Sequence, residues 1–363
     1  MSYARAIANN DVVLLAWDPG GPIKDCLGYD IRRREIGKRR RSLPAWVGFS
    51  GDDPKTAPRT TLQWPVQKFN WRDLTAQAGA TYIYDIVPMI GTPGALKRSS
   101  TVFTTNPVTV SPQCSEHVRA FFNRGILATQ HLSKLLTGMG NGQQPDFADP
   151  TDPVLVELRR RLSTPGDSIR LGLADQILVG VTALLDRAKS DGGHCFASLY
   201  ELADPELVDA LAGSHVTVVL SNAGGGPARD DTNAGARTAL HSAAVDVTDR
   251  MLGSGHIGHN KFVVYCDPAG VARAVLTGST NWTSTGLCTQ SNNALLVDDD
   301  AVAAAYLDYW HEIKAESPSP RATQTAAFRT ENRQQLPATP VDTGTVTLWR
   351  SPNTVRQLSL IHI

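Results

Sequence analysis

The 363-residue sequence predicts a multidomain protein in which an all-β sandwich precedes an α/β domain with a central mixed sheet flanked by helices. Residues 11–112 hold short runs rich in Val, Ile, Tyr, Trp and Thr, divided by Gly, Pro and Asp, which is typical of a sandwich. From residue 154 onward, helix-like and strand-like segments alternate. Changes in composition at Gly/Pro-rich stretches separate the two parts.

These patterns predict six segments. They are an N-terminal tail at 1–10, the β-sandwich at 11–112, a helical linker and loop at 113–153, the α/β domain at 154–316, a linker at 317–344, and the start of a further unit at 345–363.

Elements within these segments follow from periodicity. An apolar stripe predicts a helix over 115–137, and "SIRLGLAD", Ser168–Asp175, reads as a short strand. "GARTALHSAAVDVTDRML", Gly235–Leu252, reads as one helix. Further helices are expected at 154–162, 176–192, 204–214 and 299–316, and strands at 194–202, 215–223, 261–267 and 274–279.

Composition limits the functional classes. Lys plus Arg equals Asp plus Glu at 35 each, so whole-chain charge gives no argument for nucleic acid or an anionic membrane. Five dispersed cysteines without a CxxC pair predict reduced thiols, although a Cys26–Cys114 bridge stays open. With neither a signal-peptide pattern nor an 18-residue apolar run, we expect a cytoplasmic location.

One basic segment stands apart from this balance. "RRREIGKRRRS", Arg32–Ser42, has seven basic residues in eleven. A solvated hairpin whose charge protects a sheet edge is the favoured interpretation, and phosphate contact is the alternative.

The chemistry is concentrated in "GHIGHNKFVVYCDPAGVARAVLTGSTNW", residues 255–282. In an extended strand, His259 and Lys261 share a face, as do Ser279 and Asn281. The imidazole can attack phosphorus, the ammonium neutralises anionic oxygens, and the hydroxyl and amide donate hydrogen bonds to them. The pattern therefore predicts a phosphodiester site at two strand ends.

This pattern resembles the phospholipase D superfamily, whose signature is HxKx4D followed by GSxN. Here it comprises His259, Lys261 and Asp267, then Gly278, Ser279 and Asn281. The resemblance covers about residues 154–315 and implies phosphohistidine chemistry without metal or cofactor. We predict His259, Lys261, Ser279, Asn281 and Asp267 as catalytic residues, and Gly278, Thr280, Trp282 and Asn293 as substrate-binding residues.

Two departures from the family pattern matter. Five residues, not four, separate Lys261 from Asp267, so either a β-bulge restores its direction or Asp267 has a local role in the Asp-Pro turn. Many members also carry a downstream glutamate that orients the histidine, and Asn293 stands nearest to that place here.

Two neighbouring features receive a structural interpretation. His256, three residues before His259, is expected in a loop. "SNAGGG", Ser221–Gly226, lacks a following GK[ST] and is expected to be a turn rather than a phosphate loop.

"WRDLTAQAGATYIYDIVPM", Trp71–Met89, resembles the strand pair of fibronectin type III domains. This weaker resemblance implies a binding or packing module in the N-terminal part of the chain.

Members of the superfamily build one site from two HxK halves, and this sequence contains one HxK copy. A second chain could supply the other half, or a missing C-terminal part could; the strand-like "TVTLWRSPNT" favours the latter and predicts that residues 345–363 pack poorly. We expect a phosphodiesterase acting on phospholipid, with nucleic acid as the other substrate, and a non-catalytic scaffold as the competing class.

Overall fold

A computed structural model describes residues 2–52, 59–125, 129–226, 229–254, 256–317, 326–334 and 336–352, apart from the side chains of residues 129–131, 134 and 326. The chain divides into two compact units, Met1–Cys114 and Ser115–Ile363. The fold is therefore mixed α/β and multidomain, as the sequence predicts.

The first unit is all-β in its described part. Its strands are β1 (Tyr3–Ala8), β2 (Val13–Asp18), β3 (Cys26–Glu35), β4 (Arg41–Ser42), β5 (Pro44–Ala45), β6 (Arg59–Thr60), β7 (Asn70–Asp73), β8 (Thr81–Ile90), β9 (Lys97–Arg98), β10 (Phe103–Thr104) and β11 (Val108–Thr109). One antiparallel sheet has the order β1-β2-β7. A second has the order β10-β8-β3-β4, with β9 and β11 also paired to β8.

Side chains from both sheets form one core in this unit. Val13, Leu15 and Trp17 alternate inward along β2 and pack with Ile31 and Tyr84 from the second sheet. The segment 1–10, predicted as a tail, is corrected to an edge strand. Its residues Tyr3–Ala8 pair in register with β2, and the Ala6 side chain is buried.

The basic segment Arg32–Ser42 forms a hairpin, as expected, but it is not uniformly solvated. Arg33 is buried and its Nη1 lies 2.7 Å from Asp73 Oδ2, while Arg40 pairs with Asp85. Arg33 and Arg40 therefore form ion pairs within the first unit. All five cysteines are free thiols, so the Cys26–Cys114 bridge is not formed.

The second unit is an α/β layer structure. Its strands are β12 (Val118–Phe122), β13 (His194–Leu199), β14 (Val216–Ser221), β15 (Asp246–Arg250), β16 (Lys261–Cys266), β17 (Ala272–Gly278), β18 (Asn293–Val297), β19 (Thr339–Val341) and β20 (Gly344–Val346). Its helices are α1 (Thr129–Met139), α2 (Pro153–Leu162), α3 (Ser168–Ala174), α4 (Gln176–Asp191), α5 (Pro205–Ala212), α6 (Ala234–Ser242), α7 (Ser284–Cys288), α8 (Asp300–Glu316) and α9 (Ala326–Glu331).

A seven-stranded mixed sheet with the order β12-β18-β17-β16-β13-β14-β15 forms its centre. Alternation along β16 gives each face its own core. Val263 and Tyr265 pack in the cluster that contains α4 and α5, whereas Phe262 and Val264 pack in the cluster that contains α8. The sheet is thus buried on both faces, and every residue of β14 and β16 is buried.

Three element predictions are wrong. The helix predicted over 115–137 gives way first to strand β12, which pairs with β18, so the α/β sheet begins at Val118 and not at residue 154. Ser168–Ala174 is a helix, because the Asp167 side chain caps it and Ile169 and Leu173 face the core. The single helix predicted over Gly235–Leu252 ends at Ser242 and is followed by β15, which pairs in parallel with β14.

The segment predicted as a linker, 317–344, is structured where it is described. Phe328 of α9 and Val341 of β19 are buried against the α8 core. Beyond it, β20 pairs with β19, and Tyr309 Oη donates to the Ser351 carbonyl at 2.6 Å. Arg350 is buried as well. Residues 345–352 are therefore not poorly packed, and 353–363 lie outside the described residues.

In the part of the chain that is described, no single helix has the length and hydropathy of a membrane span; α3 and α4, bent by 83°, pass that test only as a pair.

Candidate active site

All the predicted site residues except Asp267 lie where four strands of the central sheet end together. β16 begins at Lys261 opposite Leu199, the last residue of β13. β17 ends at Gly278 opposite Ala294 of β18. Because β16 is antiparallel to both β13 and β17, the start of one strand meets the ends of its two neighbours at a single edge of the sheet.

Lys261 is the buried cation of this edge. Its side chain is on the α4 face of the sheet and 8% of the residue is exposed. The ammonium Nζ lies 5.3 Å from the centre of the Tyr200 ring and donates to the His259 carbonyl at 3.4 Å. Burial lowers the pKa of Lys261 to about 8, and the neighbouring Glu201 carboxylate acts in the opposite direction.

His259 lies immediately before β16 and is exposed to solvent. Its ring meets the Tyr200 ring edge to face, with centroids 5.0 Å apart. Partial burial lowers the pKa of His259 below its usual 6.5, and the Lys261 charge lowers it further. The imidazole is therefore neutral near pH 7, the state in which its nitrogen is nucleophilic.

Asn281 reaches the same edge from the segment after β17. Its Nδ2 donates to Glu201 Oε2 at 2.5 Å, and its Oδ1 is buried without a hydrogen-bond partner. Its backbone carbonyl packs so closely on Gly286 that a Cβ there would lie 2.3 Å from it. The Asn281 main chain is thereby held in place, and Glu201 fixes the direction of its amide.

Ser279 is exposed and is held by the neighbouring strand β18. Its Oγ donates to Asn292 Oδ1 and accepts from the Asn293 backbone N–H, both at 3.1 Å. Asn292, rather than the predicted Asn293, is therefore the amide side chain bonded at this place. Neither amide has a hydrogen bond to His259 among the described contacts.

Gly278 allows this close approach of β17 and β18. Its φ is +154°, and a Cβ would lie 2.4 Å from the Asn293 carbonyl oxygen. Only glycine fits such a position without moving one strand. Gly278 therefore shapes the backbone from which Ser279 and Asn281 project, and its predicted contact with substrate stays a prediction.

Thr280 and Trp282 are corrected to supporting roles. Thr280 is buried and its Oγ1 donates to the Asn293 carbonyl at 2.7 Å. Trp282 is 2% exposed, and its backbone pairs with Leu202 beyond the end of β13. Both residues anchor the segment after β17 to its neighbouring strands.

Asp267 does not join the site. It follows the far end of β16, about 20 Å from Lys261 at the usual rise per strand residue. Its carboxylate accepts from the Ala269 and Val271 N–H groups and pairs with Arg273. The sheet does have a bulge here, but the extra residue is Arg273 on β17. Of the two alternatives, the local turn role is the one observed.

Two side chains of this edge were not predicted from the sequence. Tyr200 and Glu201 follow β13, whose pairing with β16 brings them beside His259 and Lys261. Glu201 precedes its partner Asn281 by 80 residues, so nothing local connects them. The sequence signal that could have indicated them is the polar pair "YE", Tyr200–Glu201, near the end of a predicted apolar strand.

The two neighbouring features have the roles that the sequence indicates. His256 is exposed, in the loop before β16, and its N–H donates to the Gly253 carbonyl. In the described part of "SNAGGG", the Asp231 carboxylate accepts from the Gly226 N–H, and a Cβ on Gly224 would clash with it. A carboxylate inside this turn argues against phosphate binding there.

One group of metal-type ligands lies elsewhere in the second unit. Ligand atoms of Glu116, His117 and Asp342 fall within 4.8 Å of one another, all on exposed residues. This cluster adjoins the pair Val118–Val297, at the end of β18 opposite the site edge.

No family model matches the chain, and no curated protein matches it. Among solved structures, it is similar to a phospholipase D family member, Nuc from Salmonella typhimurium, at 21% identity and a TM-score of 0.31, over 40% of this chain and 90% of Nuc. It is also similar to NucT from Helicobacter pylori, at 14% identity and 0.30, over 39% and 91%. A third similar structure is a polyphosphate kinase from Porphyromonas gingivalis, at 12% identity and a TM-score of 0.25. That match spans 63% of this chain and 32% of the kinase chain. At these identities and TM-scores, function has to be argued from the site.

Proposed function

We propose that the second unit is a phosphodiesterase half-site of the phospholipase D type, with His259 as the nucleophile. The observation that carries this proposal is the meeting of an imidazole, a buried ammonium and an anchored amide at one edge of the sheet. A core strand gains nothing from a lysine with 8% exposure at its first residue, since burying an ammonium is costly.

The chemistry follows from these groups. The imidazole nitrogen of His259 attacks phosphorus, and the new N–P bond forms as the P–O bond to the leaving alcohol breaks. Lys261, Ser279 and Asn281 offer donors to the non-bridging oxygens, whose charge grows in the transition state. Water then attacks phosphorus, the N–P bond breaks and the imidazole is restored, so two inversions give net retention.

A second histidine is needed for efficient turnover. It protonates the leaving oxygen in the first step and takes a proton from water in the second. Apart from His256 and His259, none of the described histidines lies within two residues, in sequence, of the strand ends that form this edge. The chain also has one HxK copy. We infer that a second HxK half, from another copy of the chain or from further sequence, completes the site.

The pH profile follows from the two titrating groups. His259 must be neutral, so activity rises as pH rises through its pKa, which lies below 6.5. Lys261 must be charged, so activity is lost as pH rises through about 8. The proposed enzyme is therefore most active between the pKa of His259 and that of Lys261, at about 8.

Phospholipid is the substrate class that we favour, with nucleic acid second. Nonspecific nucleic acid binding depends on many phosphate contacts by Lys and Arg, and this chain has no net charge for that purpose. Comparing choline release from phosphatidylcholine vesicles with nicking of plasmid DNA tests this choice. Faster DNA nicking would reverse it.

Hydrolysis of bis-p-nitrophenyl phosphate tests the activity itself. The assay contains the second HxK half, from another copy of the chain or from further sequence. We expect p-nitrophenol release from the wild-type protein and none above background from His259→Ala. His256→Ala is the matched control, because its ring lies in the same loop, and it should retain activity. Equal release from wild type and His259→Ala would leave the inert scaffold as the better account.

We further propose that the first unit is a fibronectin type III-like sandwich. Two antiparallel sheets around one core support this, as does the pairing of β8 with β3, β10 and β11. Residues 1–114 produced alone should then unfold cooperatively, as a domain with its own core does. A non-cooperative melt would argue against an independent sandwich.

A further inference from the structure

Glu201 is a carboxylate placed inside a site that has to bind an anion. Its Oε2 accepts from Asn281 Nδ2 at 2.5 Å. The same carboxylate acts electrostatically on Lys261. Its backbone cannot drift away, because the Glu201 carbonyl accepts from the Trp282 N–H at 2.9 Å. An acidic group next to a phosphate site repels the substrate, so its presence calls for a compensating role.

The Asn281 amide suggests that role. A carboxylate accepts hydrogen bonds and cannot donate them, so ionised Glu201 must face the amide nitrogen and not the oxygen. Asn281 Oδ1 has no hydrogen-bond partner, so the orientation of the amide depends on its hydrogen bond to Glu201. One Nδ2 hydrogen is used by Glu201, which leaves the other as a donor of fixed direction.

The Lys261 ammonium is the second group on which Glu201 acts, and it does so through its charge alone. Lys261 is buried, and its described contacts are the Tyr200 ring and the His259 carbonyl, neither of which carries a full negative charge. A nearby carboxylate is therefore the group that favours its charged form.

We propose that Glu201 is a positioning residue of the phosphate site, which orients the Asn281 amide toward substrate and keeps Lys261 charged. This inference rests on the proposed function. Glu201 acts through Asn281 and Lys261, and it forms no bond to the reacting atoms.

Other titratable groups also belong to this edge. Tyr200 and Glu201 come from the segment after β13, and His259 from the loop before β16. Arg229 acts on Tyr200 from the loop after β14. No titratable side chain comes from Ser279–Thr283, after β17. Among these described residues, Glu201 is the only acid, so its substitution isolates the effect.

The test combines pH–rate profiles with a direct titration of Lys261. Hydrolysis of bis-p-nitrophenyl phosphate is measured for wild type, Glu201→Ala and Glu201→Gln, with Glu157→Gln on the exposed face of α2 as control. In parallel, the Lys261 signal is titrated by NMR in protein containing 13C-labelled lysine, and is assigned by its loss in Lys261→Arg.

We expect Glu201→Ala to lower kcat/KM about tenfold to a hundredfold, less than the loss of a direct donor. Glu201→Gln keeps an acceptor for Asn281 and should recover most of this loss at acid pH. Because Glu201→Gln removes the charge that raises the Lys261 pKa, the alkaline limb should move to lower pH, and the NMR titration should move with it. The Glu157 control should change neither.

An unmoved alkaline limb and Lys261 titration in Glu201→Gln would overturn the proposal, whatever the change in overall rate. If wild type releases no p-nitrophenol even when the second half-site is supplied, the proposed function fails, and the NMR titration still decides whether Glu201 supports the charge of Lys261. A Lys261 titration that shifts in an inactive protein would support only the electrostatic effect of Glu201 on Lys261.

Discussion

Lys261 is the residue on which the chemistry and the stability of the site both depend. A buried ammonium costs free energy, and a fold tolerates that cost where a function requires the charge. The site therefore predicts opposite effects of one substitution on activity and on stability.

Lys261→Met should abolish diester hydrolysis and raise the free energy of unfolding by about 1–3 kcal/mol at neutral pH. Burial lowers the pKa of Lys261 from 10.5 to about 8 in the folded state, so the folded protein bears the full cost below pH 8. The gain should shrink as pH rises from about 8 toward 10.5, as the folded lysine is then neutral and the unfolded one loses its proton.

Urea denaturation at several pH values measures the free energy of unfolding of wild type and Lys261→Met, with Lys189→Met as control. Lys189 is exposed at the end of α4, so that change should stay within about 0.5 kcal/mol. A destabilised Lys261→Met protein would show that the ammonium holds the fold together rather than serving the site.

Some of these residues could be predicted from the sequence, and others could not for a physical reason. His259 and Lys261 are two apart at the start of one strand, and Ser279 and Asn281 are two apart after another, so local sequence spacing was enough to group them. Glu201 meets Asn281 only through the pairing of β13 with β16, which depends on the whole sheet. Asp267 was grouped by the motif alone and lies at the wrong end of its strand.

At the scale of elements, the hairpin of β16 and β17 has one end at the site, where β16 begins and β17 ends. Its site end contains Gly278, and its opposite turn contains Gly270, at φ +81°, where an added Cβ would meet no atom within 4 Å. The two glycines form a matched pair, one tightly enclosed and one open.

Gly278→Ala should lower activity at least tenfold and destabilise the fold by about 1–3 kcal/mol, since the new methyl group meets the Asn293 carbonyl. Gly270→Ala should cost about 1 kcal/mol for its left-handed backbone and leave kcat/KM unchanged. Kinetics and thermal unfolding of both variants check this. Equal effects on activity would mean that the Gly278 contact does not position the site.

Most helices and strands of the second unit were predictable because their apolar periodicity is strong. The exceptions have identifiable causes. β12 was hidden because Phe121 fits a helical stripe, and its edge pairing with β18 decided the outcome. β15 was hidden because no glycine marks the end of α6; Ala244 takes the positive φ of +56° instead.

At the scale of the whole molecule, one chain provides one HxK motif. Single chains should therefore hydrolyse diesters about 10²–10⁴-fold more slowly than a completed site, which is the usual contribution of general acid–base catalysis. Specific activity measured across a dilution series, with mass from light scattering, checks this. Full activity in single chains, unchanged on dilution, would show that one chain contains a complete site.

The central claim is that the substrate phosphoryl group is transferred to His259. Trapping this covalent adduct is the most direct test. Wild-type protein is denatured in alkali during turnover of bis-p-nitrophenyl phosphate, and its peptides are analysed by mass spectrometry. We predict an alkali-stable, acid-labile phosphoramidate on the peptide that contains His259, and none in His259→Ala. Turnover without an adduct, or an adduct on another residue, would contradict it.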